Sequence, residues 1–203
     1  MKIGNEINFG NYEWQVLDVK DATMLIITKD IVEQRDYHNK KESVTWETSE
    51  SRHYLNKEFF ERFNDYEKER IIPVLSKNPG NPWYGSDGGN DTTDKVFLLS
   101  MDECVRKYFG DSSRLLDNPK PNQRYWFDRK DENNSKRKAQ FMNGIWWWWT
   151  RTPGKHNRVE VYIHGDGNIG IQGNGICKTT FNTLHYITQS NQGGLRPAVW
   201  VKI

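Results

Sequence analysis

Cysteine is almost missing from this chain of 203 residues: Cys104 and Cys177 stand far apart, and neither sits in a Cys-x-x-Cys pair. Neither a disulfide framework nor a cysteine zinc cluster is signalled. The five histidines, His38, His53, His156, His164 and His185, form no His-Glu-x-x-His or His-x-x-x-His spacing, so a zinc site has no sequence support. Long apolar runs are missing too. The longest, Met24 to Ile27 and Ile145 to Trp149, fall far short of a bilayer span, and residues 1 to 20 lack the basic start and apolar stretch of a signal peptide. A soluble, cytoplasmic protein without a membrane partner is expected. Charge of one sign is also missing: the formal net charge is +2, so nothing global points to nucleic acid or an acidic membrane. There is no Gly-x-Ser-x-Gly, no Walker loop, and no Gly-x-Gly-x-x-Gly between a strand and a helix, so no nucleophile elbow or phosphate cradle is signalled.

What is present is aromatic. Hydrophobic residues make up only 35% of the chain, yet nine Trp, nine Tyr and nine Phe supply 13% of it, which contradicts disorder and predicts an aromatic-rich core. Ile7, Phe9, Tyr12, Trp14 and Val16 repeat with period two and, broken at Gly10-Asn11 and Lys20-Asp21, predict a meander of short strands. Leu55, Phe59 and Phe63 lie four apart on one helical face, with Asn56 as a cap between two short helices. Strand-like Val96 to Leu99 runs into Ser100-x-x-Glu103, a capping box that predicts a helix over about residues 101 to 109, closed by Gly110. Residues 111 to 144 are polar, with weak helical character from Ser135 to Met142. From Ile145 the pattern is β, with a hairpin turning near Gly165 to Asn168 and a closing strand from Gly193 to Ile203. The expectation is one α+β domain over residues 1–203, with a twisted antiparallel sheet and two or three short helices.

Several separated motifs resemble a bacterial and phage domain of unknown function. They are Ile7, Phe9, Gly10, Tyr12, Trp14, Val16 and Leu17, then Trp46, Ser49, Arg52, Leu55, Asn56, Phe59 and Phe63, then Asp94 to Ser100 with Glu103, then Trp148 to Gly154, and last Gly193 to Ala198. The ending is similar to that of the C-type-lectin-like fold shared with formylglycine-generating enzymes. That resemblance implies a C-type-lectin-like domain, cytoplasmic or phage-associated, on a scaffold that carries sugar binders, protein receptors and an oxidase. The oxidase branch depends on a late cysteine pair, whereas this chain has Cys177 alone, so inherited oxidase chemistry is not expected.

In a strand, Trp146 and Trp148 point one way and Trp147 and Trp149 the other. Either the strand is covered on both faces or one indole pair lines a cleft. The second reading makes Trp147, Trp149, Arg151, His156 and Arg158, with the loop over residues 174 to 192, an aromatic and arginine surface for ligand. Arg196, between Gly194 and Pro197, is read as a crosslink between loops or a partner stacked on an indole. Asp87, Asp91 and Asp94 are weak metal candidates: calcium suits such oxygens, but the calcium-loop template needs a glutamate where Leu98 stands. No cofactor is expected. Lys120, Arg124, Arg129, Lys136 and Arg137 interleave with Tyr125, Trp126 and Phe127, but Asp128, Asp131 and Glu132 dilute the charge, and a solvated loop is the reading. The leading expectation is a non-enzymatic binding module for a carbohydrate or protein ligand. The alternatives are an enzyme acting around His156, His164 and the Asp87 to Asp94 loop, and a structural or assembly domain of a phage or bacterial particle.

Overall fold

The computed structural model of the chain describes residues 1–110, 112, 114–117, 119, 131–177, 180–183, 186–189 and 192–203. The alternating amino-terminal pattern becomes β1 (Glu6–Phe9), β2 (Tyr12–Lys20) and β3 (Thr23–Thr28), an antiparallel meander. Gly10 and Asp21 turn it at φ of +58° and +53°. Trp14 and Val16 face inward, and the Trp14 indole N–H donates to the Phe9 carbonyl at 2.7 Å. After β4 (Glu33–Arg35), a continuous helical run starts with α1 (Glu50–Tyr54), loosens to a π turn over Leu55–Phe59 and tightens at Phe60–Arg62. Leu55, Phe59 and Phe63 are buried, as their spacing requires.

Asn56 does not cap a helix, because the run continues through it. Its amide donates to the Arg52 and Val96 carbonyls, and its carbonyl accepts the Lys95 N–H at 2.8 Å. The cap is Asn64, in a reciprocal box with Glu67 at the start of α2 (Asp65–Arg70). Next come β5 (Ile71–Ile72), β6 (Val74–Ser76) and β7 (Thr92–Asp94), and the β6–β7 pair closes the base of the Gly- and Pro-rich loop. Val96 to Leu99 are buried but not a strand; one bridge, Phe97 to Ala198, is their whole ladder among the described residues. The Ser100–Glu103 box forms with bonds of 2.8 and 3.2 Å, the helix runs from Met101 to Tyr108, and Gly110 ends it at φ +87°. In the stretch expected to be weakly helical, α3 (Asn134–Arg137) gives way to β8 (Ala139–Phe141).

The remaining strands are β9 (Gly144–Trp146), β10 (Trp148–Pro153), β11 (Val159–Ile163), β12 (Ile169–Gly175), β13 (Thr180–Thr183), β14 (Tyr186–Gln189), β15 (Gly193–Leu195) and β16 (Ala198–Lys202). They build two five-stranded sheets where one was expected: β1-β2-β3-β16-β5 and β12-β11-β10-β15-β4. The cause lies at Arg196-Pro197, where proline has no N–H for a ladder. The closing segment therefore splits, β15 pairing with β10 and β4 while β16 pairs with β3 and β5. The meander does share a sheet with the last strand, and a mixed α+β architecture results. One apolar cluster runs from Trp14, Phe59 and Phe63 at the first sheet to Trp148, Val161 and Ile169 at the second.

Three arginines buried in this core tie its layers together. Arg196, at the crossing between sheets, donates to the Thr28 carbonyl at 2.9 Å and stacks 5.2 Å from the Trp148 ring centroid. Burial lowers its pKa to about 10, so it stays charged at neutral pH. Arg137 pairs with Asp131 at 2.7 Å and donates to the Gly110 and Gly167 carbonyls. Arg151 is the third.

Candidate binding surface at the tryptophan run

The four indoles divide. Trp148 is enclosed on one face of the second sheet, its N–H donating to the Arg137 carbonyl at 2.9 Å. Trp149 is enclosed on the other face, under Tyr37, and donates to the Arg35 carbonyl at 3.0 Å. Trp146 and Trp147 are half-buried. Trp147 meets Trp149 edge-on with ring centroids 4.6 Å apart and meets Tyr162 the same way at 5.4 Å. Tyr162 lies opposite Trp149 in the β10–β11 ladder, and its ring continues the row to His164 at 6.5 Å. The result is an aromatic row that begins in the core and ends at an exposed histidine.

Glycines shape this row. A Cβ on Gly193 would stand 2.4 Å from the Trp149 ring and 2.5 Å from Trp147, and one on Gly170 would stand 2.2 Å from Tyr162 Cε1. In an ordinary strand, replacing glycine by alanine is mildly stabilising. Here the collision decides the sign: Gly170→Ala is expected to cost about 1 to 3 kcal/mol and to change the near-ultraviolet circular dichroism of the row. Thermal melting and that spectrum check it.

The β11–β12 turn brings His164 and Asp166 to the same end of the sheet, with Nδ1 and Oδ1 3.0 Å apart, and Gly165 packs against Ile145. The β8–β9 hairpin adds Met142, 84% exposed, and Ile145, 53% exposed. Sequence reasoning missed Tyr162 and this hairpin. The signal for Tyr162 was the alternation from Val159 to Ile163, which puts it opposite an indole once the hairpin register is known.

Of the residues expected to form one surface, Trp147 and Trp149 meet, but Arg151, His156 and Arg158 do not join them. Arg151 is 1% exposed, and its guanidinium is taken up by Glu103 at 2.5 Å, the Leu98 and Lys77 carbonyls at 2.5 and 3.0 Å, and Asn78 Oδ1 at 3.1 Å. Burial alone would raise the Glu103 carboxyl, but the Arg151 charge and the Ser100 N–H hold it below its ordinary range. His156 and Arg158 are exposed in the β10–β11 connection, at the end of the hairpin opposite Trp147. At about 3.3 Å per residue, the length of β10 separates them by roughly 17 Å. The surroundings of His156, first its partial burial and then Arg158 and Lys155, lower its pKa below 6.5, so the ring is neutral at pH 7. The side chains of residues 178–191, in the expected recognition loop, lie outside the described residues.

His156 and His164, two of the groups weighed for an enzymatic site, stand at opposite ends of β11. Burial pushes the Cys104 thiol up to about 12, so it is no nucleophile at neutral pH. The aspartates do not converge on an ion. Asp87 caps its own turn at the Gly89 N–H, Asp91 pairs with Lys77, and buried Asp94 accepts from Trp46, Arg52 and Thr92. Among the described residues, no group of three or more His, Cys, Asp or Glu is arranged to hold a metal. Nor is any described helix long and apolar enough to cross a membrane.

A family model described as a domain of unknown function (DUF6273) matches residues 21–203, and the chain belongs to that family. The match begins beyond β2, so the whole second sheet and all of the first but β1 and β2 lie within it. No curated protein and no solved structure matches the chain.

Proposed function

We propose that this chain is a non-enzymatic binding module that recognises a carbohydrate at the Trp147 end of its second sheet. The observation that carries the reading is the half-open row of Trp147, Tyr162 and His164, ending beside the hydrogen-bonding pair of His164 and Asp166. Ring faces offer an apolar platform to the C–H face of a sugar, and the polar pair at the rim offers partners to its hydroxyls. A second reading, a protein partner, draws support from the exposed apolar side chains of Met142 and Ile145 on the β8–β9 hairpin. The C-type-lectin-like resemblance of the carboxyl-terminal motifs is compatible with both ligands.

A glycan array followed by thermal shift tests the reading. A cognate glycan at about a hundred times its dissociation constant should stabilise the chain by roughly 2.7 kcal/mol. Trp147→Ala is expected to abolish the shift, because the indole supplies most of the platform, while Met142→Ser with Ile145→Ser leaves it in place. If no glycan binds, the carbohydrate reading fails. If binding survives Trp147→Ala, its location fails.

A further inference from the structure

A hollow of about 460 Å³ lies between the helical run and the Thr93–Lys95 segment, away from the tryptophan run in sequence and lined by different residues. Arg52, His53 and Lys57 come from the helix, His53 and Lys57 one turn apart on one face; Thr93, Lys95 and Pro73 close the other side. Among the described residues, no carboxylate lines it. Asp94 is buried, its Oδ1 on Arg52 at 2.6 Å and its Oδ2 on Trp46 and Thr92 at 2.9 and 2.6 Å. Asn56 fixes the two walls by accepting the Lys95 N–H and donating to the Val96 carbonyl.

Two of the cations are uncommitted to acid. Lys57 is exposed, Lys95 Nζ sits 4.1 Å from the Phe60 ring centroid, and no ion pair ties up either among the described residues. Cations gathered in a concavity focus a positive potential that the near-neutral net charge conceals. The volume exceeds what a bare inorganic anion needs and falls in the range of small-ligand pockets. We propose that this hollow binds a small ligand carrying a tetrahedral oxyanion, a phosphate or sulfate ester, with Lys57, Lys95 and His53 at the anion and Pro73 against the remainder.

Calorimetric titration of the full chain at about 0.15 M ionic strength, where loose surface attraction is screened, tests this with a hexose phosphate, the matching hexose sulfate, inorganic phosphate and the uncharged hexose. The esters are expected to bind and the uncharged hexose not to. The tighter ester distinguishes phosphate from sulfate. Lys57→Gln with Lys95→Gln removes both charges but keeps polar side chains, and should lower Tm by only a few degrees, through the lost Lys95–Phe60 contact, while weakening binding roughly tenfold or more. The proposal is overturned if no oxyanion binds, if the double variant binds as tightly as the natural chain, or if Trp147→Ala removes the binding instead.

Discussion

Arg151→Ala should destabilise the chain by roughly 3 to 5 kcal/mol, the usual cost of removing one member of a buried ion pair. For a chain of this size that corresponds to a fall in Tm of roughly 6 to 20 °C. The reason lies in what remains. Glu103, 20% exposed, loses the charge that keeps it ionised, and the Leu98 and Lys77 carbonyls and Asn78 Oδ1 lose their donor together. Arg151→Lys should recover part of the loss, because an ammonium restores charge without the planar fork that reaches several acceptors at once. Arg151→Met combined with Glu103→Leu should cost much less than the two single changes summed, since the pair leaves together. Chemical denaturation of the single and double variants measures the coupling. A surface arginine that holds ligand behaves otherwise: its loss leaves stability within about 0.5 kcal/mol, and that outcome would return Arg151 to the binding surface.

Arg151 also marks the boundary of what the sequence could disclose. Elements specified by neighbours were legible: the meander from its alternation, the helix after Ser100 from its capping box, the hairpin at Gly165 to Asn168 from its turn residues. Each depends on contacts a few residues apart. The burial of Arg151, Arg137 and Arg196 depends on acceptors from distant strands and loops, such as Thr28 for Arg196 and Leu98 for Arg151. An arginine in isolation reads as surface because an unpaired buried charge is costly; only the assembled fold shows the carbonyls that offset the cost. The tryptophan run has the same logic. Alternation put Trp147 and Trp149 on one face, but Tyr37 and the Arg35 carbonyl, which cover Trp149 and leave Trp147 half-open, arrive from far upstream. The division into two sheets turned on one proline whose effect was local, while its consequence, which sheet each half joins, was not.

Glu160→Gln should reverse part of the chain's dependence on pH. Glu160 stands at an irregularity in both ladders of β11 and is enclosed, and neither carboxyl oxygen has a hydrogen-bond partner among the described residues. The side chain that approaches it is Tyr37, whose hydroxyl is likewise unpartnered. Burial pushes the carboxyl well above its ordinary 4.5, outweighing the opposing Tyr37 contact, so the folded chain holds a neutral acid where the unfolded chain holds a carboxylate. Folding therefore takes up a proton above pH 4.5, and the natural chain loses about 1.4 kcal/mol per pH unit from there until the raised folded value is reached. Glutamine cannot ionise and does not share this slope. Its amide adds buried donors, a cost that is constant with pH, so the diagnostic quantity is the difference between the two stability curves and not either curve alone. Acids held low in the fold, such as Glu103, lose their contribution on acidification in both proteins and cancel in the difference. Denaturant midpoints should diverge in favour of Glu160→Gln as pH rises above 4.5. Parallel curves would mean that Glu160 ionises inside the fold, and would overturn this account of its burial.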